Sequence, residues 1–252
     1  MLLCMKILFS PSKSQKNDIP VLSDKTPLLF PEQTNTLIQK ILEFSPQEIQ
    51  NTFKISLEKS ILLLDTYATK KPRQTTAIEM FSGTSFQELS IGEYSHAQLD
   101  YMNNHVCIMS ALYGFLEPTN AVRSYRLDMN NNILKNTEYK NLYNFWLPYV
   151  SDYFKNEDII INLASAEYSK MLKGIDKSNI ITMHFFVIKN AVEKTVSVFS
   201  KQQRGKMLDY MIKNKINNVD NMTLLRNYSS DGFVFNIEKS DKYNYYFIKN
   251  LD

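Results

Sequence analysis

Apolar and β-branched residues gather in short runs along this chain, and four of those runs end alike. Lys6-Ile7-Leu8-Phe9-Ser10 precedes Pro11-Ser12-Lys13, and Val106-Cys107-Ile108-Met109-Ser110 precedes Ala111-Leu112-Tyr113-Gly114. Ile159-Ile160-Ile161-Asn162 precedes Leu163-Ala164-Ser165, and Val196-Ser197-Val198-Phe199-Ser200 precedes Lys201-Gln202-Gln203-Arg204-Gly205. Continuous apolar runs of this length match strands buried on both faces. In open α/β sheets the carboxyl ends of such strands face the crevice where ligands bind. Laid side by side and pointing the same way, the four runs bring their hydroxyls to one edge with Lys13, Lys201 and Arg204. Such an edge suits an anion, most simply a phosphate. Serine also follows strands because it suits turns, so the repetition carries this expectation rather than any single serine.

Between the runs the pattern turns helical. Leu37, Ile38, Ile41 and Leu42 recur at helical spacing within residues 32–44. Ser45-Pro46-Gln47-Glu48 then places serine at an N-cap, proline at N1 and glutamate at N3 of a second helix carrying Ile49, Phe53 and Ile55. Further helices are predicted over 57–67, 95–103, the aromatic stretch 141–155, and 205–215. Strands are predicted over 77–81, over 125–129 as an alternating edge strand, over 180–188 with 192–199 as a hairpin, and over 232–236 and 243–248. Residues 10–31, with Pro11, Pro20, Pro27 and Pro31, read as a long surface loop. With no repeat and no low-complexity linker, the expectation is one α/β domain over residues 1–252, a mixed β-sheet surrounded by helices.

Composition narrows the function classes by exclusion. The 252 residues are 44% hydrophobic, enough for a full core. Twenty-nine basic against 26 acidic residues leave a net charge of +3, so any basic surface depends on where charges sit. Two cysteines, Cys4 and Cys107, make no disulfide framework, and Cys107 within an apolar run reads as a buried small hydrophobe. A cytoplasmic location is expected. Residues 1–5 are apolar but lack the basic region and cleavage site of a signal peptide. No apolar stretch approaches the roughly 18 residues that span a bilayer, so no membrane partner is expected. The chain has neither a Walker lysine loop nor a glycine-rich dinucleotide fingerprint. His96, His105 and His184 are scattered, and although His105 and Cys107 share one strand face, two ligands do not make a metal site. Neither metal nor cofactor is expected.

The candidate chemistry is that of anion binding. In Ser10-Pro11-Ser12-Lys13 the lysine and the loop amides suit a phosphate. A lysine three residues after a serine also activates nucleophiles in some acyl-transfer enzymes, but those place the pair on one helical turn, and no helical pattern follows here. Ser165 either caps the helix that follows it or lines the crevice with Asn162 and Lys170. Glu167 and Lys170, three apart, equally suit a surface ion pair. Lys201 and Arg204 either add full charges to a helix N-terminus or form a solvated basic turn. Arg123 and Arg126 flank Tyr125, and an arginine beside an aromatic faces a phosphate or stacks on a base; for Arg126 the alternative is pairing with Asp128. The anion-binding candidates are therefore Ser10, Lys13, Ser110, Arg126, Asn162, Ser165, Lys170, Lys201 and Arg204. No catalytic residue is assigned.

Eight segments then occur in order: Ser10-Pro11-Ser12-Lys13, Leu112-Tyr113-Gly114-Phe115-Leu116-Glu117-Pro118, Tyr125-Arg126-Leu127-Asp128-Met129, Leu142-Tyr143-Asn144-Phe145-Trp146, Ile161-Asn162-Leu163-Ala164-Ser165, Glu167-Tyr168, Arg204-Gly205 and Ser230-Asp231-Gly232-Phe233. Together they resemble the YaaA family of bacterial peroxide-stress proteins, over nearly the whole chain. The resemblance implies a cytoplasmic protein that limits oxidative damage by keeping unincorporated iron low under hydrogen peroxide. It implies a positively charged cleft, a helix-hairpin-helix element, and binding of double-stranded and branched DNA. Carried onto this chain, the hairpin is the helix pair around Ser45, and the cleft cations are Lys13, Arg126, Lys170, Lys201 and Arg204. The chain departs from the family in three places: it has one cation fewer in Lys201-Gln202-Gln203-Arg204-Gly205, Ala166 where an acid is common, and Asn130 where glycine is common. The competing expectation is an enzyme acting on a nucleotide, nucleobase or other small anionic substrate at the strand-end crevice, resting on Ser10, Ser110, Asn162 and Ser165.

Overall fold

In a computed structural model, which describes residues 4–16, 24–217 and 221–251, the first apolar run forms strand β1 (Met5–Phe9). Residues 1–3 of the apolar start and 17–23 of the expected long loop lie outside the described residues. Three helices follow: α1 (Pro31–Leu42), α2 (Pro46–Phe53) and α3 (Leu57–Ala68). The capping box at Ser45 is present in both directions, Glu48 N–H donating to Ser45 Oγ at 3.3 Å and Ser45 N–H donating to Glu48 Oε2 at 2.8 Å. This α1–turn–α2 pair packs on α3. Its turn runs through Glu43 and Phe44 and contains no glycine.

The middle of the chain is short and irregular: β2 (Thr75–Thr76), α4 (Ala77–Met80), α5 (Thr84–Gln87), then α6 (His96–His105). β3 (Val106–Ser110), β4 (Gly114–Leu116) and β5 (Ala121–Val122) precede the aromatic helix α7 (Leu142–Phe154). Then come β6 (Ile159–Asn162), α8 (Ala166–Ser169), β7 (Ile180–Lys189), β8 (Val192–Lys194) and the long helix α9 (Ser197–Asn214). The described chain ends in α10 (Leu224–Asn227), β9 (Ser229–Ser230), β10 (Phe233–Phe235) and β11 (Asn244–Asn250).

Nine of these strands form one mixed sheet in the order β4-β3-β1-β6-β7-β11-β10-β9, with β8 folded back on β7; β2 and β5 pair separately. The five strands from β3 to β11 are mutually parallel, and the edges on either side are antiparallel. β1 is central because Ile7, Leu8 and Phe9 leave it at most 1% exposed on either face, as parallel strands require. Helices α6 and α9 pack on each other and on the sheet. The aromatic residues of α7 anchor the β4 edge. Trp146, fully buried, donates its indole N–H to Ala111 O at 3.0 Å, and Tyr153 stacks on Phe115 with centroids 4.8 Å apart. No helix among the described residues is long and apolar enough to cross a membrane.

Three expected strands are not strands. Residues 77–81 form the single turn α4: the Ala77 and Ile78 amides donate to Asn120 O and Pro118 O, and Phe81 N–H returns to Ala77 O. Residues 125–129 do alternate, Tyr125, Leu127 and Met129 inward, but no strand among the described residues pairs with them. Side chains take that place: Gln15 Oε1 accepts from Tyr125 N–H, and Tyr67 OH donates to Arg126 O. The fourth apolar run is the start of α9, not a strand. Ser200, Gln203, Met207, Leu208, Met211 and Ile212 are buried at helical spacing, and that period over a long helix outweighs a five-residue alternation.

Candidate functional site: a cation-bearing cleft at the strand ends

β3, β1 and β6 are neighbours and point the same way, so three of the four polar run ends meet at one sheet edge. Ser10 and Ser165 are stitched together there. Ser10 Oγ accepts from Ser165 N–H at 2.8 Å and donates to Ser165 Oγ at 3.2 Å. Ser165 is the N-cap residue of α8 by position, but its hydroxyl serves this bridge and makes no cap hydrogen bond. Past Ser10 the chain is pinned to the end of α4 and the residues after it, through Lys16 N–H to Met80 O and Ser82 N–H to Ser14 O. That holds Lys13 out to solvent, where it pairs with Asp128 at 2.8 Å.

Two further elements complete the wall. The alternation of residues 125–129 turns Arg126 outward between buried neighbours. Helix α9 contributes Lys201 and Arg204, three residues apart, because Gly205 lets it lie against α5. The result is a cleft of about 610 Å³ into which Lys13, Arg126, Lys201 and Arg204 bring four cations against the two carboxylates of Asp128 and Glu167. Arg126 and Lys201 are exposed, and neither makes an ion pair among the described residues.

Six of the nine expected residues line this cleft: Ser10, Lys13, Arg126, Ser165, Lys201 and Arg204. Ser110 and Asn162 sit at the same sheet edge but are buried beneath it. Ser110 Oγ shares a hydrogen bond with Tyr125 OH at 2.8 Å and accepts from Tyr113 N–H. Asn162 binds Ser169 and Thr182 and accepts from Ala164 N–H, which shapes the turn that carries Ser165. Lys170 is exposed at the end of α8, outside the lining, and makes no ion pair with Glu167. Arg123 is committed elsewhere, donating to the carbonyls of Thr66, Tyr67 and Thr69 at the C-terminus of α3.

Glu167, which the sequence offers as an ion-pair partner for Lys170, is not among the nine expected residues. Its Oε1 is buried without a hydrogen-bond partner, and so is Nε of Arg204. Burial raises the Glu167 carboxyl above the usual range, with Asp128 adding to the effect, against the opposing pull of Lys13 and the Met129 and Asn130 amides. Burial likewise lowers the Arg204 guanidinium. Nothing in the spacing of Glu167 marks it, because its environment comes from residues 128–130 on another segment.

A sequence profile of the family described as peroxide stress protein YaaA matches residues 5–239. A UPF0246 protein of Fusobacterium nucleatum is 35% identical over 97% of this chain and 99% of its own length. Relatives of the same description from Pseudoalteromonas translucida and Malacoplasma penetrans are 34% and 33% identical, covering 94% and 97% of this chain and 95% and 99% of theirs. The profile spans β1 to β10 and the cleft-lining residues, and the relatives match the chain nearly end to end: the chain belongs to the YaaA family of peroxide stress proteins.

Proposed function

We propose that this protein serves the peroxide-stress response by holding double-stranded or branched DNA through its cation-bearing cleft, limiting iron-dependent oxidative damage. Family membership supports the peroxide-stress role. The observation that carries the DNA reading is the pairing state of the cleft cations. Arg126 and Lys201 are exposed and have no acidic partner among the described residues, and both line the same cleft as Lys13 and Arg204. Phosphate binding by free cations is sequence-tolerant and releases counterions. The turn between α1 and α2 is a weaker contact by the same reasoning, since it offers Glu43 and no glycine to a phosphate.

The test is fluorescence anisotropy on a labelled duplex across a salt series. Each lost phosphate contact lowers the slope of log K against log salt by about 0.9. The Arg126→Ala/Lys201→Ala double variant is therefore expected to bind all duplexes more weakly and to lose about 1.8 of that slope. A double variant with the wild-type slope and affinity would remove the cleft from the DNA interface.

A further inference from the structure

The walls that carry Lys13 and Arg126 do not end with the cleft. Ser10 to Gln15 and Tyr125 to Asp128 line the cleft; one residue beyond Gln15, at Lys16, and one before Tyr125, at Ser124, the same two segments line a second hollow of about 230 Å³. Gln15 is the divide between them, its Oε1 accepting from Ser124 Oγ and from Tyr125 N–H, both at 2.9 Å. Lys16, Arg73 and Arg123 line the hollow, and among the described residues no carboxylate does. Lys25 joins them, its Nζ donating to Gln74 O on the rim at 3.4 Å. Glu79 of α4, which accepts from the Thr75 and Thr76 hydroxyls, offsets part of this charge. Arg123 is 9% exposed, and the carbonyls that end α3 occupy its N–H groups, so it adds to the field without offering a free donor. Lys16, by contrast, is exposed and makes no ion pair among the described residues.

We propose that a DNA strand lying along the cleft continues over Gln15 to this hollow, where Lys16 holds a further phosphate and Arg73 and Lys25 border the path. This rests on the DNA reading of the cleft and carries it to residues outside the cleft. The spacing suits one strand. Lys13 and Lys16 are three residues apart, at most about 11 Å of chain, and each DNA strand carries one phosphate per about 3.4 Å of helix axis. A strand therefore passes both lysines within about three phosphates. The size suits a point of contact on a long ligand, because 230 Å³ is below the range of about 300–1,000 Å³ for sites that enclose a small molecule. The charge is continuous as well. The cleft sets four cations against two carboxylates and the hollow three against none in its lining, so the positive field extends past Gln15.

The test is the salt dependence of duplex binding by the full chain, read by anisotropy for Lys16→Ala, Lys16→Arg and Lys177→Ala, with melting temperatures to check folding. Lys177 is exposed just before β7, at the opposite end of the parallel strands from the cleft, and reports the effect of removing any one charge. Lys16→Ala is expected to lose about 0.9 of the slope of log K against log salt, and Lys16→Arg to keep it. Added to Arg126→Ala/Lys201→Ala, it should bring the total loss to about 2.7. The path is overturned if Lys16→Ala keeps the wild-type slope and affinity, or if Lys177→Ala loses as much. Should Lys16→Ala keep them while Arg126→Ala/Lys201→Ala does not, the path alone falls and the cleft reading stands. The reverse result would overturn the cleft reading and, with it, a path through both. Calorimetry with pyrophosphate checks for a small-anion site: binding abolished by Lys16→Ala, with duplex affinity untouched, would also overturn the path.

Discussion

Asp209 shows how one side chain joins distant segments around the site. It projects from α9, and its Oδ1 accepts from Ser90 N–H at 2.9 Å and from Tyr94 OH at 2.6 Å, while Oδ2 pairs with Lys213 at 2.8 Å. Burial opposes its ionisation, but the bonds from Lys213, Tyr94 and Ser90 outweigh that and hold the carboxyl below its usual range. A depressed folded pKa stabilises the fold fully above the unfolded value, about 3.9, and the contribution fades as pH falls through the folded value. Asp209→Asn is therefore expected to cost about 1–2 kcal/mol at neutral pH. In urea titrations the gap to wild type should narrow on acidification below about pH 4; a gap that does not change with pH would mean the charge is not what matters. Residues at this scale were unevenly legible. Ser10 and Lys13 followed from a strand end and a loop, whereas Glu167 and Asp209 owe their environments to segments far away in sequence, which spacing does not reveal.

At the scale of elements, the position of α9 decides whether Lys201 and Arg204 reach the cleft. The helix approaches α5 so closely that a Cβ on Gly205 would lie 2.1 Å from Ser85 O, a backbone atom. Alanine in a helix interior gains about 1 kcal/mol over glycine by propensity, but overpacking against backbone costs about 1–3 kcal/mol, and a contact this short places the cost at the upper end. Gly205→Ala should therefore lower the urea midpoint and weaken anion binding together. A variant as stable as wild type would show that the two helices do not touch there. The same helix marks where the apolar pattern misled. β1, β3 and β6 were legible because burial on both faces makes each a near-continuous apolar run. Residues 196–200 show the same local alternation, but they form the first turn of α9, and Ser200 is buried against Phe185 O rather than exposed at a strand end. Lys201 and Arg204 line the cleft all the same, from a helix instead of a loop.

For the whole molecule, the governing feature is that sheet order does not follow chain order. β1, the first strand, pairs with β3 and β6 across most of the sequence, and β11, the last, lies between β7 and β10. β11 runs parallel to β7 over seven matched residues, Asn244 to Asn250 against Thr182 to Ile188, and buries Tyr245 and Phe247. A chain ending at Tyr243 therefore loses an interior strand, not a tail. It leaves β7 with an open edge and Phe185 without its stacking partner Phe247, a combination that favours aggregation. Such a truncation should be insoluble or readily proteolysed, and a soluble, protease-resistant fragment would contradict the strand order. The same placement has a consequence for synthesis. The strands of the cleft edge, β3, β1 and β6, are all translated well before β11, whereas β10 and β9, though made earlier than β11, must wait for it, because β11 is the strand that joins them to β7.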